Sequence, residues 1–225
     1  MIARSILCLC FLGARAYSSD GTLAYTGVSY HDSVRTGGPQ RIPGRVLCAY
    51  FDLGGEGVAY HTADKRNQGS GGLNPANGTY LNEFRMNEAV GTSYTKYNDA
   101  IDRNPFNLVQ PPEGMLYVGW TTPGEWIRMT VEVESFGTYA IDLFYTSNRG
   151  GDISMELNGR PLAPAINVVS TWNANETILW RQWHHWNVMK GIAEVNLPAG
   201  TSVLTLRVLT EGNMNLAWLD FERRR

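Results

Sequence analysis

Residues 117–133 read Tyr117-Val-Gly-Trp-Thr-Thr-Pro-Gly-Glu-Trp-Ile-Arg-Met-Thr-Val-Glu-Val133. Tyr117 to Trp120 is apolar and aromatic, and Pro123-Gly124 is a strong turn signal. Beyond the turn, Ile127, Met129, Val131 and Val133 alternate with Arg128, Thr130 and Glu132. A period of two marks a strand with one buried and one wet face, so the stretch predicts two β-strands joined by a tight turn. It also carries Trp120 and Trp126. An indole is costly to leave in water, so each is either core or part of a binding surface.

The same pattern continues outward. Thr138 to Thr146 alternates, with Tyr139, Ile141, Leu143 and Tyr145 on one side. Asp152 to Leu157 is a strand followed by Asn158-Gly159, the favoured hairpin dipeptide. Ala193 to Leu197, Ser202 to Leu209 and Asn215 to Phe221 complete the C-terminal set, and no helical period competes. On the N-terminal side, Ile42 to Asp52 reads as a strand, and the glycines from Gly54 turn the chain into a short one ending at His61. Strands at this spacing, with turn signals between them, predict an all-β chain folded as a two-sheet antiparallel β-sandwich.

Two segments stand apart. Residues 62–114 are long, polar and rich in Asn, Gly and Pro, a length of irregular chain that is often functional. A short strand is expected there at Glu83 to Met86. Residues 17–40, rich in Ser, Thr, Gly and Asp, read as a linker or loosely docked arm ahead of a domain spanning 41–225. Asn77-Gly-Thr and Asn175-Glu-Thr are glycosylation sequons.

The first 16 residues have the form of an export signal. Arg4 is followed by the apolar run Ser5 to Gly13 and by Ala14-Arg-Ala16, an A-x-A cleavage pattern. This predicts a secreted protein, extracellular or periplasmic. Cleavage would remove Cys8 and Cys10 and leave Cys48 alone, most simply as a buried thiol. No later segment approaches the roughly 18 apolar residues that span a bilayer. The 225 residues are 43% hydrophobic and 18% charged, enough for a sizeable core. The net charge of −2 gives no basic excess for nucleic acid, and Arg223 to Arg225 reads as a solvated tail.

The aromatic distribution carries the functional signal. Four of the seven tryptophans (Trp172, Trp180, Trp183 and Trp186) fall in one segment with Asn173, Asn175, Arg181, Gln182, His184 and His185. A sugar ring has apolar C–H faces that lie on indole, and hydroxyls that need in-plane donors and acceptors. This segment supplies both. The competing reading is that these tryptophans are core, with Trp183 and Trp186 paired across a strand.

Five pieces of the chain, in order, resemble carbohydrate-binding module family 6. They are Gly55-Glu-Gly-Val-Ala-Tyr-His61, Tyr117-Val-Gly-Trp-Thr-Thr-Pro-Gly-Glu-Trp126, Phe136-Gly-Thr-Tyr139, Val195-Asn-Leu-Pro-Ala-Gly200 and Asn215-Leu-Ala-Trp-Leu-Asp-Phe221. The resemblance implies a galactose-binding-domain-like jelly roll that binds polysaccharide or oligosaccharide, usually attached to a secreted glycoside hydrolase. It implies a cleft in the loops at one edge of the sandwich. There Trp120 and Trp183 would grip a sugar ring, Asn215 would hydrogen-bond it, and Tyr60 and His61 would add polar contacts. An insertion blurs the match around Trp183, which leaves Trp172 and Trp180 as candidates. It further implies a second site on the concave sheet face at Trp126 and Glu156, although both residues also suit the sheet structurally.

One departure concerns a structural calcium. The family's Glu-Ala-Glu run is replaced here by Leu47-Cys-Ala49. A hard cation needs several oxygen ligands, and Asp220 alone will not hold one, so no cofactor is expected and a calcium site would be degraded.

An enzyme is disfavoured. Glycoside hydrolysis needs two opposed carboxylates, and no spacing among Glu56, Glu125, Glu156 and Asp220 singles out a pair. Adjacent His184 and His185 would point to opposite faces of a strand and could not easily share a metal. The reading is therefore non-catalytic carbohydrate binding. The alternatives are an adhesive, protein-binding sandwich or, further off, a small glycoside hydrolase or polysaccharide lyase.

Overall fold

The computed structural model describes residues 25–225. The expected export signal and the first part of the arm lie outside them. Thirteen strands follow one another: β1 (Gln40–Ile42), β2 (Gly44–Leu47), β3 (Tyr60–His61), β4 (Thr92–Tyr94), β5 (Leu116–Val118), β6 (Trp126–Val133) and β7 (Gly137–Ser147), then β8 (Gly151–Leu157), β9 (Arg160–Pro161), β10 (Ile166–Val168), β11 (Asn187–Leu197), β12 (Gly200–Val208) and β13 (Met214–Arg223). They form a seven-stranded sheet in the order β1-β6-β12-β8-β10, with β3 on β6 and β9 on β8. A six-stranded sheet has the order β11-β7-β13-β5-β4, with β2 on β13. Pairing is antiparallel except for β1 with β6. This is the two-sheet antiparallel β-sandwich that the sequence predicts.

The 117–133 stretch forms two strands that do not pair with each other. β5 joins β13 and β4 in one sheet, and β6 joins β12 in the other. The turn between them is a sandwich corner. Pro123 and Gly124 build it, the glycine at φ +94°, and Glu125 closes it by accepting the Thr122 amide at 2.9 Å. Along β6 the alternation is realised: Ile127, Met129, Val131 and Val133 are buried while the intervening residues face outward. They meet Tyr139, Ile141, Leu143 and Tyr145 of β7 in the inter-sheet core. Cys48 is fully buried in that core, where burial pushes its thiol up to about 12.

The two sheets differ on their outer faces. The first leaves its outward row half-exposed. The second is covered, because Trp186, Phe144, Trp218 and Tyr117 form a separate aromatic layer on it. A further cluster, Tyr30, Ala49, Phe84 and Leu116, packs the N-terminal arm and the insertion together.

The arm is not loose over its described part. Val28 and Leu53 exchange backbone hydrogen bonds of 2.9 and 2.7 Å. Tyr30 is buried against Tyr50 at 5.4 Å, and Asp32 accepts from Tyr30 and Tyr80 at 2.5 and 2.8 Å. The Ser, Thr and Gly content conceals these aromatic anchors.

The insertion is ordered by asparagines. Asn67 Oδ1 accepts the amides of Gly69, Ser70 and Thr92, each at 3.0 Å, and its Nδ2 donates to Thr92 Oγ1 at 2.7 Å. Side chains thus satisfy backbone groups that no ladder reaches. The expected strand at Glu83 to Met86 is absent. The helical turn α1 (Tyr80–Glu83) ends there, and Arg85 takes φ +53°. Its buried guanidinium lies 3.4 Å over Phe51 and donates to Asp52 O at 2.9 Å, an arrangement no strand permits. Among the described residues no helix is long and apolar enough to cross a membrane.

Candidate functional site

The residues of interest converge on Asn215, at the start of β13. Its backbone pairs with Thr146 of β7, and its side chain is 3% exposed. Nδ2 donates to Thr146 Oγ1 at 2.8 Å and to His184 Nδ1 at 3.0 Å. Oδ1 accepts no hydrogen bond from any described residue, yet it is not among the sealed, unpartnered polar atoms. It sits 2.7 Å from where a Cβ on Gly119 would be, so only glycine at 119 leaves it uncovered.

Trp120 follows directly, at φ +53°. For a bulky residue that left-handed conformation costs on the order of 1–3 kcal/mol and persists only where the surroundings impose it. Here the imposing groups belong to the insertion. The half-buried indole rests on Gly69 and Gly91, where an added Cβ would come within 2.6 and 3.1 Å of the ring.

Trp183 approaches from the other segment. It is half-buried, its ring 5.7 Å from that of His184. His184 is the hub of the aromatic loop, with Trp180, Trp186 and Tyr117 also within 6.1 Å of its ring centre. Its Nε2 lies 2.7 Å from Asp102 Oδ1, which also accepts the Trp186 indole N–H at 2.8 Å. The insertion holds this loop a second time through Asn107, whose Oδ1 accepts the Trp186 amide at 2.9 Å.

An ion pair shapes the remainder of the loop. Glu176, with a 1% exposed side chain, takes two bonds from Arg181 of 2.7 and 3.0 Å. Those bonds hold its carboxyl below the usual range. Arg181 also donates to Ala100 O of the insertion at 2.9 Å. His185 turns away from its neighbour to Thr171 O at 3.0 Å, and burial lowers its proton affinity.

Asn215 thus touches Gly119 and His184, the chain neighbours of Trp120 and Trp183. Trp186, the rear member of the Trp-x-x-Trp pair, is core at 0% exposure. Trp172 and Trp180 are each 53% exposed and stand farther out on the loop with Ile178 and Leu179.

Tyr60 and His61 do not join this group. Tyr60 is buried in the inter-sheet core, edge-on to Phe51 at 5.5 Å. His61 pairs across the first sheet with Trp126 and bonds Glu56 at 2.5 Å. They sit at positions where a strand beginning at Tyr60 alternates inward and outward. His61 borders a small pocket that it shares with Thr62, Val118, Thr121, Glu125 and Leu216.

Trp126 and Glu156 share the outer face of the first sheet. The Arg128 guanidinium lies 4.4 Å from the Trp126 ring centre and that of Arg207 5.8 Å. Arg207 also faces Glu156 at 3.6 Å. Asp220 faces Arg45 at 3.6 Å, and among the described residues no group of three His, Cys, Asp or Glu is placed to hold a metal.

Asp102 and Thr146, which fix Asn215 and His184, carry no signal in the sequence. Asp102 lies in the irregular insertion, and Thr146 is one residue of an alternating strand.

The family model for the carbohydrate binding module (family 6) matches residues 106–223, more than half of the chain. The chain belongs to that family. Among solved structures, CsCBM6-3 from Clostridium stercorarium, in complex with cellobiose, is 12% identical at a TM-score of 0.50. The match covers 84% of this module and 100% of that chain. A glycoside hydrolase family 43 arabinoxylan arabinofuranohydrolase from Bacillus subtilis, in complex with cellotetraose, is 14% identical at a TM-score of 0.50. There the match covers 93% of this module but 33% of that chain. At these identities the likeness is one of fold. No curated protein matches the family 6 module at a significant level. Its family is one of carbohydrate binding.

Proposed function

We propose that this family 6 module binds polysaccharide without catalysis, in the edge cleft where Trp120, Asn215 and Trp183 meet. The observation that carries the reading is the Asn215 amide. It is buried and held by Thr146 and His184, its Oδ1 accepts from no described residue, and it touches Gly119 and His184, the chain neighbours of the half-buried Trp120 and Trp183. The indoles stack on a ring, and the amide fixes which hydroxyl meets it. An unpaired polar group in such a site is costly, so hydroxyl geometry selects the sugar. A shallow cleft of this kind binds at roughly 10–1,000 μM. That affinity becomes useful when the module acts beside a catalytic domain or other copies on one polymer. The reading includes export from the cell, association with a glycoside hydrolase, and no cofactor, since Asp220 is engaged by Arg45.

The test is a screen of β-glucans, xylan, galactans and host-type glycans by calorimetry, with and without EDTA, alongside Trp120→Ala and Trp183→Ala. Both substitutions are expected to weaken binding at least about tenfold, and EDTA to leave it unchanged. Binding that survives both substitutions would move the site elsewhere on the module.

A second reading has one observation in its favour. Trp172, Ile178, Leu179 and Trp180 form an exposed apolar row, with Leu179 78% exposed, and such rows dock proteins. Absence of binding to every glycan, with capture of a protein partner that Trp180→Ala abolishes, would establish it.

A further inference from the structure

Asn215, His184 and Asp102 form a hydrogen-bonded line whose proton positions are mutually fixed. The Asp102 carboxylate can only accept, so His184 Nε2 carries the proton across their 2.7 Å contact. His184 Nδ1 is then a lone pair in the neutral ring, and it must accept from Asn215 Nδ2 at 3.0 Å. The second Nδ2 proton goes to Thr146 Oγ1 at 2.8 Å. Both amide protons are used internally, and Oδ1, which accepts from no described residue, packs against Gly119.

We propose that Asp102 and His184 are positioning residues that lock Asn215 as an acceptor. The cleft thus takes a ring hydroxyl that donates, and rejects a carboxylate or sulfate ester at that point. The ligand half of this proposal rests on the edge cleft being the sugar site. It also assigns a task to the insertion, since Asp102 comes from residues 62–114 and sets the asparagine from the far side of the imidazole.

The opposite arrangement is available to the same atoms. An imidazolium donates from both nitrogens, so Asn215 would have to rotate and present Oδ1 to His184. Thr146 Oγ1 can reverse its role because a hydroxyl both donates and accepts. Nδ2 would then take the place of Oδ1, a donor site instead of an acceptor site. The charged and titratable groups around His184 are Asp102 from the insertion, Tyr117 from β5, and His185 with the Glu176–Arg181 pair on its own loop. β7 and β13 contribute the neutral Thr146 and Asn215.

The experiment is nitrogen NMR on the full chain, free of ligand, at about pH 7.5. His184 should show a protonated Nε2 and a bare Nδ1, and the Asn215 amide protons should be protected from exchange. In Asn215→Asp, which replaces the donor by a second acceptor, the bare Nδ1 signal should be lost, whereas Asp102→Asn should lose the fixed Nε2–H tautomer. A bare Nε2, unprotected Asn215 amide protons, or a tautomer unchanged in both variants would each overturn the lock.

The ligand half is read by adding neutral xylan and β-glucan oligomers or polygalacturonate at pH 7.5. Loss of Asn215 protection or a shift of its Oδ1-bearing carbonyl with the neutral oligomers supports it, and a shift of the Nδ2 signals that shows Nδ2 donating to a polygalacturonate carboxylate overturns it. An intact lock with no response to any glycan would overturn the sugar reading of the cleft while leaving the lock standing.

Discussion

Trp120 and Trp126 flank the same Pro123-Gly124 turn, and the molecule uses them differently. Trp120, two residues beyond β5, takes a left-handed conformation, backed by the glycines of the insertion and following Gly119, on which the Asn215 amide packs. Trp126 begins β6 in regular extended chain, with guanidinium groups 4.4 and 5.8 Å from its ring centre and a neighbouring Arg207–Glu156 pair. On the sheet face, ring and charges already satisfy one another, and a sugar would have to displace them. At the edge, the polar groups are satisfied from behind and one atom is left over. An exposed aromatic among polar residues is therefore not by itself a platform. What distinguishes the two regions is whether the protein has already used the ring and its polar neighbours.

The ion pairs of the two regions sharpen the contrast most. Glu176 and Arg181 have side chains 1% and 12% exposed, whereas those of Glu156 and Arg207 are 25% and 29% exposed. Arg181→Ala strands a carboxylate in the loop that carries Trp183, at a cost of about 3–5 kcal/mol. Arg207→Ala leaves Glu156 in partial contact with water, at a cost below about 1 kcal/mol. Urea denaturation of both variants measures the difference. Equal losses would mean that the edge loop is no more tightly built than the sheet face.

A smaller effect comes from pH. His185 donates Nδ1–H to Thr171 O, and its sealed Nε2 has no hydrogen bond, with Glu176 Oε2 3.9 Å away; burial outweighs that carboxylate, favours the neutral ring and depresses its proton affinity. The unfolded chain, with an ordinary histidine, takes up the proton more readily. Stability is therefore fully present above about pH 6.5 and is lost as pH falls through the histidine range toward the folded value. Thermal melts from pH 7.5 down to pH 5.5 should show a drop of a few degrees, smaller in His185→Gln. A melting temperature that rises on acidification would show that Glu176, 3.9 Å from the sealed nitrogen, outweighs burial and reverses the sign.

The strands were legible because alternation is a direct print of burial. β6, β7, β8 and β13 lie where the pattern predicts them, and the Asn158-Gly159 turn takes positive φ at both residues. Asn215 and Trp120 were legible as family positions, but their surroundings were not. Two features of the site, and the placing of Tyr60 outside it, had no print in the sequence. The left-handed backbone of Trp120 is imposed by Gly69 and Gly91, which are distant in the chain. Asp102 reaches His184 from a segment with no period, whose order comes from individual asparagine contacts. Tyr60 could be assigned to either side of its strand until the pairing with Ile127 fixed it inward. A register slip of one residue exchanges the faces, and a two-residue strand has too little pattern to prevent the misreading.

The smallest expected effect bears most directly on the comparison. Trp126→Ala removes the indole from the sheet face but touches nothing that holds Asn215. Against whichever polysaccharide the Trp120→Ala variant fails to bind, Trp126→Ala should bind within about twofold of the parent, a difference below about 0.5 kcal/mol. Its stability should fall by roughly 1–2 kcal/mol, because the stems of Arg128 and Arg207 lose the surface they lie on. Calorimetry and a denaturation curve on one preparation give both numbers. If binding falls as far in Trp126→Ala as in Trp120→Ala, the guanidinium groups over Trp126 are not occupying the ring but are waiting to bond a sugar laid across it. The face and the edge would then be two sites of equal standing.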